Sequence, residues 1–485
     1  MAATNGAPRA RDVERGAAEL VWAGKARPSV PSPGRLQVVE TAGPPVTGHG
    51  NALVWGDNLL AMAALLDEYA GRVNLIYVDP PFASGAEYVQ RVPLGEAARR
   101  PAPVTLMAPA YRDDWGSGRA TYLQMLYERL VLMHALLADG GALYVHLDPT
   151  VSHYIKVLLD EVFGPEGFQR EIVWRIGWIS GYKSAVPNWV RNHDTILYYT
   201  KGRPAVFNKQ YVPYAAGYRR RAGAPGRASG YPIEDVWNAN ASEHALGGAE
   251  SLDSIQIKSY SREKTGFPTQ KNESLLRRII AASSREGDLV ADFFCGSGTT
   301  LAVAQQLGRR WIGCDESWRA IHTTRKRLLV LLEREPSGSL AGCQSFAVLR
   351  CTSNRAGATG SSRPRRVVGR RPAGPRVRIA LQLVDGVAAV RLQRYIPPRD
   401  AAVVSPSARR QGGHWIDYVD FWTVDFEHNG DVFQHHWWSH RSRAHPELAS
   451  VSASHAYSEP GAYRIAVRVV DAFGVETTTE LAVRV

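Results

Sequence analysis

The sequence predicts an α/β fold with a mostly parallel sheet, followed by a small all-β domain, and three observations predict it. Residues 73–78 form a short run rich in Val, Leu, Ile and Tyr, as in a parallel strand that is buried on both faces. Residues 288–300 run from a second short strand through a glycine turn into a helix. From residue 376 onwards, short runs alternate apolar and polar residues, which is typical of an antiparallel sandwich.

The chain of 485 residues is long enough for two or three domains, each with its own core. Its first residues are rich in Ala, Arg, Pro and Gly without a helical period, so we expect a flexible leader there. Further on, one stretch loses its period and gathers aromatic, basic and glycine residues, as a functional insertion would. The predicted parts are a flexible leader (1–34), the first half of the α/β domain (35–202), an insertion (203–265), the second half of the α/β domain (266–345), a basic linker (346–378) and a β domain (379–485).

An acid, two prolines and an aromatic residue follow the first of these strands: Asp79, Pro80, Pro81 and Phe82. Proline fixes φ and has no N–H group, so this loop would hold its carbonyl oxygens in place and present no backbone donor that repels an amine. The alternative is an ordinary Asp-Pro turn at the end of a strand. We interpret the loop as a site for an amine that donates hydrogen bonds.

A glycine turn follows the second strand. Gly296 and Gly298 allow a sharp turn and a close approach of the backbone to a ligand, and the helix behind them presents free N–H groups. A further strand at 308–315 ends in Asp315, the position at which nucleotide-binding folds hold ribose hydroxyls. The alternative for Asp315 is a solvated acid at the end of a strand.

Together the two motifs resemble those of the DNA amino-methyltransferases that use S-adenosylmethionine, and their order resembles the β class, in which the catalytic loop precedes the cofactor loop. Segments 53–60, 139–148, 192–199 and 268–271 are similar to parts of the modification subunits of type III restriction systems. The resemblance covers roughly residues 50 to 330, and it implies a Rossmann-like class I methyltransferase sheet in the permuted, β-class order. Phe293 and Asn272 stand where the family usually has proline, and we expect both to be tolerated.

The resemblance also implies roles for individual residues. Asp292 and the glycine turn would lie near the methionine part of S-adenosylmethionine, residues 269–271 would close over it, Asp315 would hold the ribose and Asp57 the adenine amine. Asp57 fits a turn-forming acid almost equally well, because it lies between Gly56 and Asn58. The implied cofactor-binding residues are Asp57, Thr269, Gln270, Lys271, Asp292, Phe294, Gly296, Gly298 and Asp315.

The implied catalytic residues are Asp79, Pro80, Pro81 and Phe82. The lone pair of an aromatic amine such as adenine N6 is delocalised into the ring, so the amine is a poor nucleophile. The Asp79 carboxylate and the Pro80 carbonyl can each accept one N–H bond and favour a pyramidal nitrogen whose lone pair faces the methyl group. Phe82 would stack on a flipped-out base or, as the alternative, fill space beside the sheet.

Charge and composition agree with a nucleic-acid partner. The net charge is +12 and the isoelectric point is near 9.6, and arginine recurs within the predicted linker without any acidic residue. We assign target recognition to the insertion 203–265, including residues 218–221; the alternative is an ordinary surface loop. We also expect residues 85–115 to cover the base pocket. His435 and His436 are adjacent on a predicted strand and would point to opposite faces, so we expect no zinc site.

The last strands, around residues 461–474, resemble immunoglobulin-like modules of the polycystic-kidney type, which usually mediate contacts. We expect double-stranded DNA as partner, a homodimer, a restriction or helicase subunit as a further partner, and no membrane. The chain has no stretch that resembles a signal peptide or a spanning segment of about twenty apolar residues, so we expect a cytoplasmic location.

Two classes of function compete. The first is an adenine-N6 DNA methyltransferase of a restriction-modification or phage-defence system, with N4-cytosine as its nearest variant; an acid at position 79 favours adenine by resemblance. The second is a catalytically silent DNA-binding or assembly subunit, against which the intact catalytic and glycine loops count. An RNA substrate also stays open, because the pocket would read a single extruded base.

Overall fold

The computed structural model describes most of the chain, and all structural statements below concern that part. The described residues are 18–44, 50–82, 87–93, 105–112, 118–176, 186–214, 230–238, 257, 261, 263–334, 345–353, 375–397, 414–442 and 446–485. The predicted recognition residues 218–221 and the centre of the predicted linker lie outside these ranges.

Strands and helices alternate in the first two thirds of the chain, and strands dominate the last third. The strands are β1 (Arg35–Ala42), β2 (Asn51–Trp55), β3 (Val73–Val78), β4 (Glu87–Pro93), β5 (Thr105–Arg112), β6 (Leu137–Leu147), β7 (Phe168–Arg175), β8 (His193–Thr200), β9 (Tyr211–Pro213), β10 (Gly230–Pro232), β11 (Val236–Trp237), β12 (Leu289–Asp292), β13 (Arg310–Asp315), β14 (Phe346–Thr352), β15 (Arg376–Val384), β16 (Val387–Ile396), β17 (Val419–Asp425), β18 (Phe433–His435), β19 (Trp437–His440), β20 (His455–Ala456), β21 (Ala462–Asp471) and β22 (Glu476–Arg484). The α-helices are α1 (Asn58–Tyr69), α2 (Arg119–Leu136), α3 (Ser152–Phe163), α4 (Glu273–Ser283), α5 (Thr299–Gln306) and α6 (Trp318–Arg334).

A sheet of eleven described strands forms the centre of the molecule, in the order β11-β7-β8-β6-β3-β12-β13-β2-β14-β1-β18. The run from β6 to β14 is parallel, with β3 in contact with both β6 and β12. Helices α1, α2 and α3 pack on one face and α4, α5 and α6 on the other, so the central strands are buried on both sides. The predicted α/β fold with a permuted strand order is confirmed.

The order of the strands brings the two sequence motifs together. Strand β3 precedes the Asp79 loop and β12 precedes the glycine turn, and the two strands are parallel neighbours. Parallel neighbours end at the same edge of a sheet, where ligands of open α/β folds bind. The Asp79 loop and the glycine turn, which lie about 210 positions apart in the chain, therefore face one another.

Two predicted boundaries differ from the structure. Residues 18–34 are packed rather than flexible: the backbone N–H of Leu20 and the Lys25 ammonium both bond to Glu161 of α3, each at 2.8 Å, and the Trp22 ring meets Tyr127 edge-on. The first residues of the predicted linker form β14, which pairs with β1 and β2 inside the central sheet. Composition missed the first because the apolar residues of 18–34 are scattered among Pro, Gly and Arg without a period. It missed the second because β14 is a short strand directly before the arginine-rich stretch.

The carboxyl-terminal part forms a β sandwich, as predicted, from the sheets β15-β16-β20 and β19-β17-β21-β22. It is joined closely to the α/β part, because β18 pairs in parallel with β1 and extends the central sheet. In addition, the start of α6 is bonded to the turn between β21 and β22: the Trp318 indole donates to the Gly474 carbonyl at 3.0 Å and Arg319 donates to the Phe473 carbonyl at 2.6 Å.

A buried ionic cluster lies at this junction. Glu40 of β1 receives bonds from Arg325 of α6 at 2.7 and 2.8 Å, from Arg468 of β21 at 2.6 Å, and pairs with His435 of β18 at 3.0 Å. Burial alone favours a neutral carboxyl, but Arg325, His435 and Arg468 together hold the pKa of Glu40 well below its usual range. We call these four residues the junction cluster.

Candidate active site

A pocket of about 470 Å³ opens at the edge of the sheet where β3, β12 and β13 end. This volume lies in the range of small-molecule sites. Of the predicted site residues, eleven line it: Asp79, Pro80, Pro81, Phe82, Thr269, Gln270, Lys271, Asp292, Phe294, Gly296 and Asp315. The structure therefore brings the catalytic loop and the glycine turn to one cavity.

Two predicted residues lie outside the lining. Asp57 caps α1, since its Oδ1 accepts the Leu59 N–H at 2.8 Å and an Arg129 N–H at 3.1 Å. Gly298 lies behind the turn at the start of α5 with φ of +72°, and a Cβ there would come within 2.5 Å of Thr324. Glycine is required at 298 for the backbone conformation and for this close packing.

The Asp79 carboxylate has one bonded and one unbonded oxygen. Its Oδ2 accepts a hydrogen bond from the Lys271 ammonium, whereas Oδ1 is buried and has no hydrogen-bond partner among the described residues. A buried acceptor without a partner is costly, and such groups are often completed by a ligand. Asp79 therefore presents one free acceptor to the pocket.

Lys271 contacts the catalytic loop. Its ammonium lies 5.5 Å from the centre of the Phe82 ring, and its backbone carbonyl accepts the Thr299 hydroxyl at 3.1 Å. The neighbouring Gln270 accepts the Thr265 N–H and donates to the Glu263 carbonyl, so its amide holds the 263–271 segment in shape. The sequence suggested a cofactor contact for Lys271 and contained no signal for its contact with Asp79.

Two further carboxylates lie at the glycine turn, of which Asp292 is buried and Asp315 is partly buried. Asp292 accepts the Phe294 N–H at 3.0 Å and the Thr300 hydroxyl, and Asp315 accepts the Gly296 N–H at 2.9 Å and the Ser317 N–H at 2.8 Å. Burial raises the pKa of Asp292 to about 7 and that of Asp315 to about 6. The bonded N–H and O–H groups lower these values only in part.

Residues other than the predicted site residues complete the wall, and one of them, Tyr88, belongs to the segment 85–115 that we expected to cover the base pocket. Asn58 donates to the Phe293 carbonyl at 2.7 Å and accepts from Arg129 at 2.6 Å, which ties α1 and α2 to the strand end after β12. Tyr88 of the β4–β5 hairpin also lines the pocket, so this hairpin reaches the site. A polar residue after Asp57 was a usable signal for Asn58, but Arg129 lies in the middle of a helix and gave none.

The described lining contains four carboxylates, Asp79, Asp292, Asp315 and Glu316, and two cations, Arg129 and Lys271. It also offers the aromatic rings of Phe267 and Phe294. The excess of negative charge and the aromatic walls suit a ligand that carries positive charge and a flat ring system. S-Adenosylmethionine has both features.

Comparison with known proteins decides the family. The model of the N6/N4 DNA methylase family matches residues 73–326, which is more than half of the chain and includes both motifs. This chain belongs to the N6/N4 DNA methylase family. S-Adenosylmethionine is the cofactor of these enzymes, and the pocket fits it. The resemblance drawn from the motifs is confirmed.

The chain is also similar to individual methyltransferases. Type II methyltransferase M.EcaI of Enterobacter cloacae is 31% identical over 341 residues, which cover 59% of this chain and 71% of that relative. The probable type III restriction-modification enzyme HindVI Mod subunit of Haemophilus influenzae is 21% identical over 406 residues, or 59% of this chain and 51% of that one. The crystal structure of the M1.HpyAVI-SAM complex is 19% identical, with a TM-score of 0.35, and covers 57% of this chain and 98% of that chain.

Two structural observations bear on other kinds of site. In the ranges that the structure describes, His, Cys, Asp and Glu side chains form no group of three that could hold a metal. His435 belongs to the junction cluster and His436 pairs with Asp425 at 3.2 Å, so both adjacent histidines have protein partners. None of the described helices is both long and apolar enough to span a bilayer.

Proposed function

We propose that this DNA methylase transfers a methyl group from S-adenosylmethionine to the N6 amine of an adenine that is flipped out of double-stranded DNA. The observation that carries the proposal is the free Oδ1 of Asp79, which lies in the same cavity as the glycine turn. We propose adenine rather than cytosine because, by the family resemblance, an acid rather than serine at position 79 favours adenine. The order of the motifs and the relatives among modification subunits support a role in a restriction-modification system.

The catalytic loop acts by orienting the amine. Asp79 Oδ1 and the Pro80 carbonyl each accept one N–H bond, and Lys271 holds the other carboxylate oxygen, so Asp79 cannot rotate away. Phe82 supports the base by stacking. When bound, S-adenosylmethionine supplies a methyl group on a sulfonium sulfur, and the C–S bond breaks as the N–C bond forms. The nitrogen then loses one proton, for which Asp79 is the nearest acceptor.

The cofactor is held by the other half of the pocket. Asp292 and the turn at Gly296 would bind the methionine end, and Asp315 the ribose, with Phe267 and Phe294 as apolar walls. The carboxylates of Asp292 and Asp315 favour a cationic ligand, because a positive charge stabilises the ionised forms that burial disfavours. Gly298 acts indirectly, by allowing the turn.

Partners follow from the same proposal. The net charge of +12 favours DNA, and the predicted recognition insertion and basic linker would contact it. A homodimer and a restriction or helicase subunit are proposed by analogy with the modification-subunit relative, and a cytoplasmic location by analogy with DNA-modifying enzymes.

Long-read sequencing of DNA from a methylation-deficient host tests the function. The host would express the wild type, Asp79→Ala, or the control Asp67→Ala, which changes an exposed acid on α1. We expect a modified-adenine motif with the wild type and the control, and a loss of at least about a hundredfold with Asp79→Ala. Modified cytosine would overturn the assignment to adenine. Soluble wild-type protein without any modified base would overturn the proposal that this chain alone methylates DNA.

A further inference from the structure

A buried chain of hydrogen bonds lies beside the catalytic loop, and the function proposed above does not use it. The Tyr77 hydroxyl on β3 is 2.9 Å from His146 Nδ1 on β6, and His146 Nε2 is 3.3 Å from Asp194 Oδ2 on β8. The three strands are neighbours in the sheet, so the three side chains cross it in one row. Asp194 is held in turn by Arg191, which also bonds to Asp148 at 2.7 Å.

The partners set the direction of these bonds. Burial opposes ionisation of Asp194, but His146, Lys271 and Arg191 lower its pKa, so its carboxylate only accepts. We assign the His146 proton on this side to Nε2, which donates to the Asp194 carboxylate, and we assign Nδ1 as the acceptor of the Tyr77 hydroxyl proton. Burial raises the pKa of Tyr77 well above its usual value, so the phenol keeps that proton. Tyr77 thus donates to His146, and the lone pairs of its oxygen are left for another group.

Tyr77 lies where the two halves of the pocket meet. It lies in β3 two residues before Asp79, and both residues line the cavity. On the other side is β12, whose Ala291 pairs with Ile76 and whose last residue is Asp292. Among the described residues, His146 is the single hydrogen-bond partner of the Tyr77 hydroxyl.

We propose that the Tyr77 oxygen contacts the methylsulfonium group of the cofactor, and that His146 and Asp194 are positioning residues that keep the Tyr77 proton turned away from it. This inference rests on the proposed function. A lone pair next to a cationic methyl group attracts its polarised C–H bonds, and a hydroxyl proton at the same place would repel them. The orientation of the phenol therefore decides whether it favours or opposes the cation.

The chain contains a matched control. Tyr144 of β6 is the register partner of Tyr77, is equally buried at 2% exposure, and bonds through its hydroxyl to Ser283 at 2.7 Å. It is not among the residues that line the pocket. Tyr77→Phe and Tyr144→Phe each remove one buried hydroxyl and one hydrogen bond, so a purely structural effect would be similar in both.

Binding is the first readout and does not require catalysis. Calorimetry would measure the affinity for S-adenosylmethionine, which has the sulfonium, and for S-adenosylhomocysteine, which has a neutral thioether. We expect Tyr77→Phe to lower the ratio of the two affinities roughly three- to fivefold, with S-adenosylhomocysteine binding unchanged, and Tyr144→Phe to leave the ratio as in the wild type. An unchanged ratio in Tyr77→Phe would overturn the inference.

A double-mutant cycle tests whether His146 acts through Tyr77. His146→Leu should lower the affinity ratio in the wild-type background and have no further effect when combined with Tyr77→Phe. His146→Asn, which can place an acceptor near the position of Nδ1, should restore part of the ratio. Equal effects of His146→Leu in both backgrounds would show that His146 serves only in packing, for example beneath Phe82, whose ring centre is 6.4 Å away.

Single-turnover methylation of target DNA is the second readout. We expect Tyr77→Phe to slow the transfer roughly tenfold while the affinity for DNA stays the same. If the wild type binds the cofactor but modifies no DNA, the proposed function fails, whereas the affinity ratio still tests Tyr77. If the wild type modifies DNA and Tyr77→Phe is as fast, the inference on Tyr77 fails alone.

Discussion

Buried carboxylates in the pocket and at the junction have opposite surroundings. Glu40 in the junction cluster has three cationic or imidazole partners, and its pKa is well below the usual range. Within the described part of the chain, Asp292 in the pocket is bonded to a backbone N–H and a hydroxyl alone, and its pKa is raised to about 7. Both are almost inaccessible to solvent. In the proposed function a cationic ligand supplies the positive charge beside Asp292, whereas Glu40 already has cationic protein partners.

The largest expected effect on stability is at the junction. Glu40→Gln removes the charge that Arg325 and Arg468 share and leaves them the partly exposed Glu476 as their remaining acidic partner, so we expect a loss of about 3 kcal/mol. Chemical denaturation would measure the loss in the free energy of unfolding. The control Glu480→Gln changes the half-exposed partner of Arg464 and should cost less than about 1 kcal/mol. Equal losses in the two variants would break the comparison, because burial of the cluster would then have no consequence.

In the pocket, we expect the affinity for the cofactor to depend on pH. A cationic cofactor prefers ionised Asp292 and Asp315, so its affinity should rise between about pH 5.5 and 8, as the carboxyls with pKa values of about 6 and 7 lose their protons. Asp292→Asn should weaken cofactor binding roughly tenfold or more at pH 8. In this variant the cofactor affinity should also rise less with pH above pH 6. Calorimetry across this range would check both. A binding curve that is independent of pH in the wild type would contradict the assignment.

Stability should respond to pH with opposite signs in the two regions. The pKa of Asp292 is higher in the folded than in the unfolded state, so its ionisation destabilises the unliganded protein as pH rises through about 7. The pKa of Glu40 is lowered on folding, so its contribution is present above the unfolded value of about 4.5 and is lost as pH falls below it.

The smallest expected effect concerns the contact between the two regions. Trp318→Phe removes the hydrogen bond from the α6 indole to the Gly474 carbonyl and should lower the free energy of unfolding by about 1 kcal/mol. Cofactor affinity should stay within about twofold, because Asp315 is held by backbone N–H groups. The control Trp22→Phe changes an indole nitrogen that has no partner in the described ranges. A large loss of affinity in Trp318→Phe would show that the junction and the pocket are coupled.

The sequence by itself determined the class of fold, the two motifs and the family. Those features are local: an apolar run followed by two prolines, or a strand followed by two glycines, constrains the backbone through adjacent residues alone. The β sandwich could also be predicted from local patterns, because apolar and polar residues alternate within single strands. Local patterns also singled out the eleven predicted site residues that line the pocket.

The tertiary structure decided the partners of these residues. Lys271 meets Asp79, Tyr77 meets His146, His146 meets Asp194, and Glu40 meets His435 from 395 positions away. These contacts depend on which strands become neighbours in a permuted sheet and on the short strand β18, whose three residues carry no period. Pairing between distant strands is set by the packing of the whole core, so no local pattern in the chain specifies it.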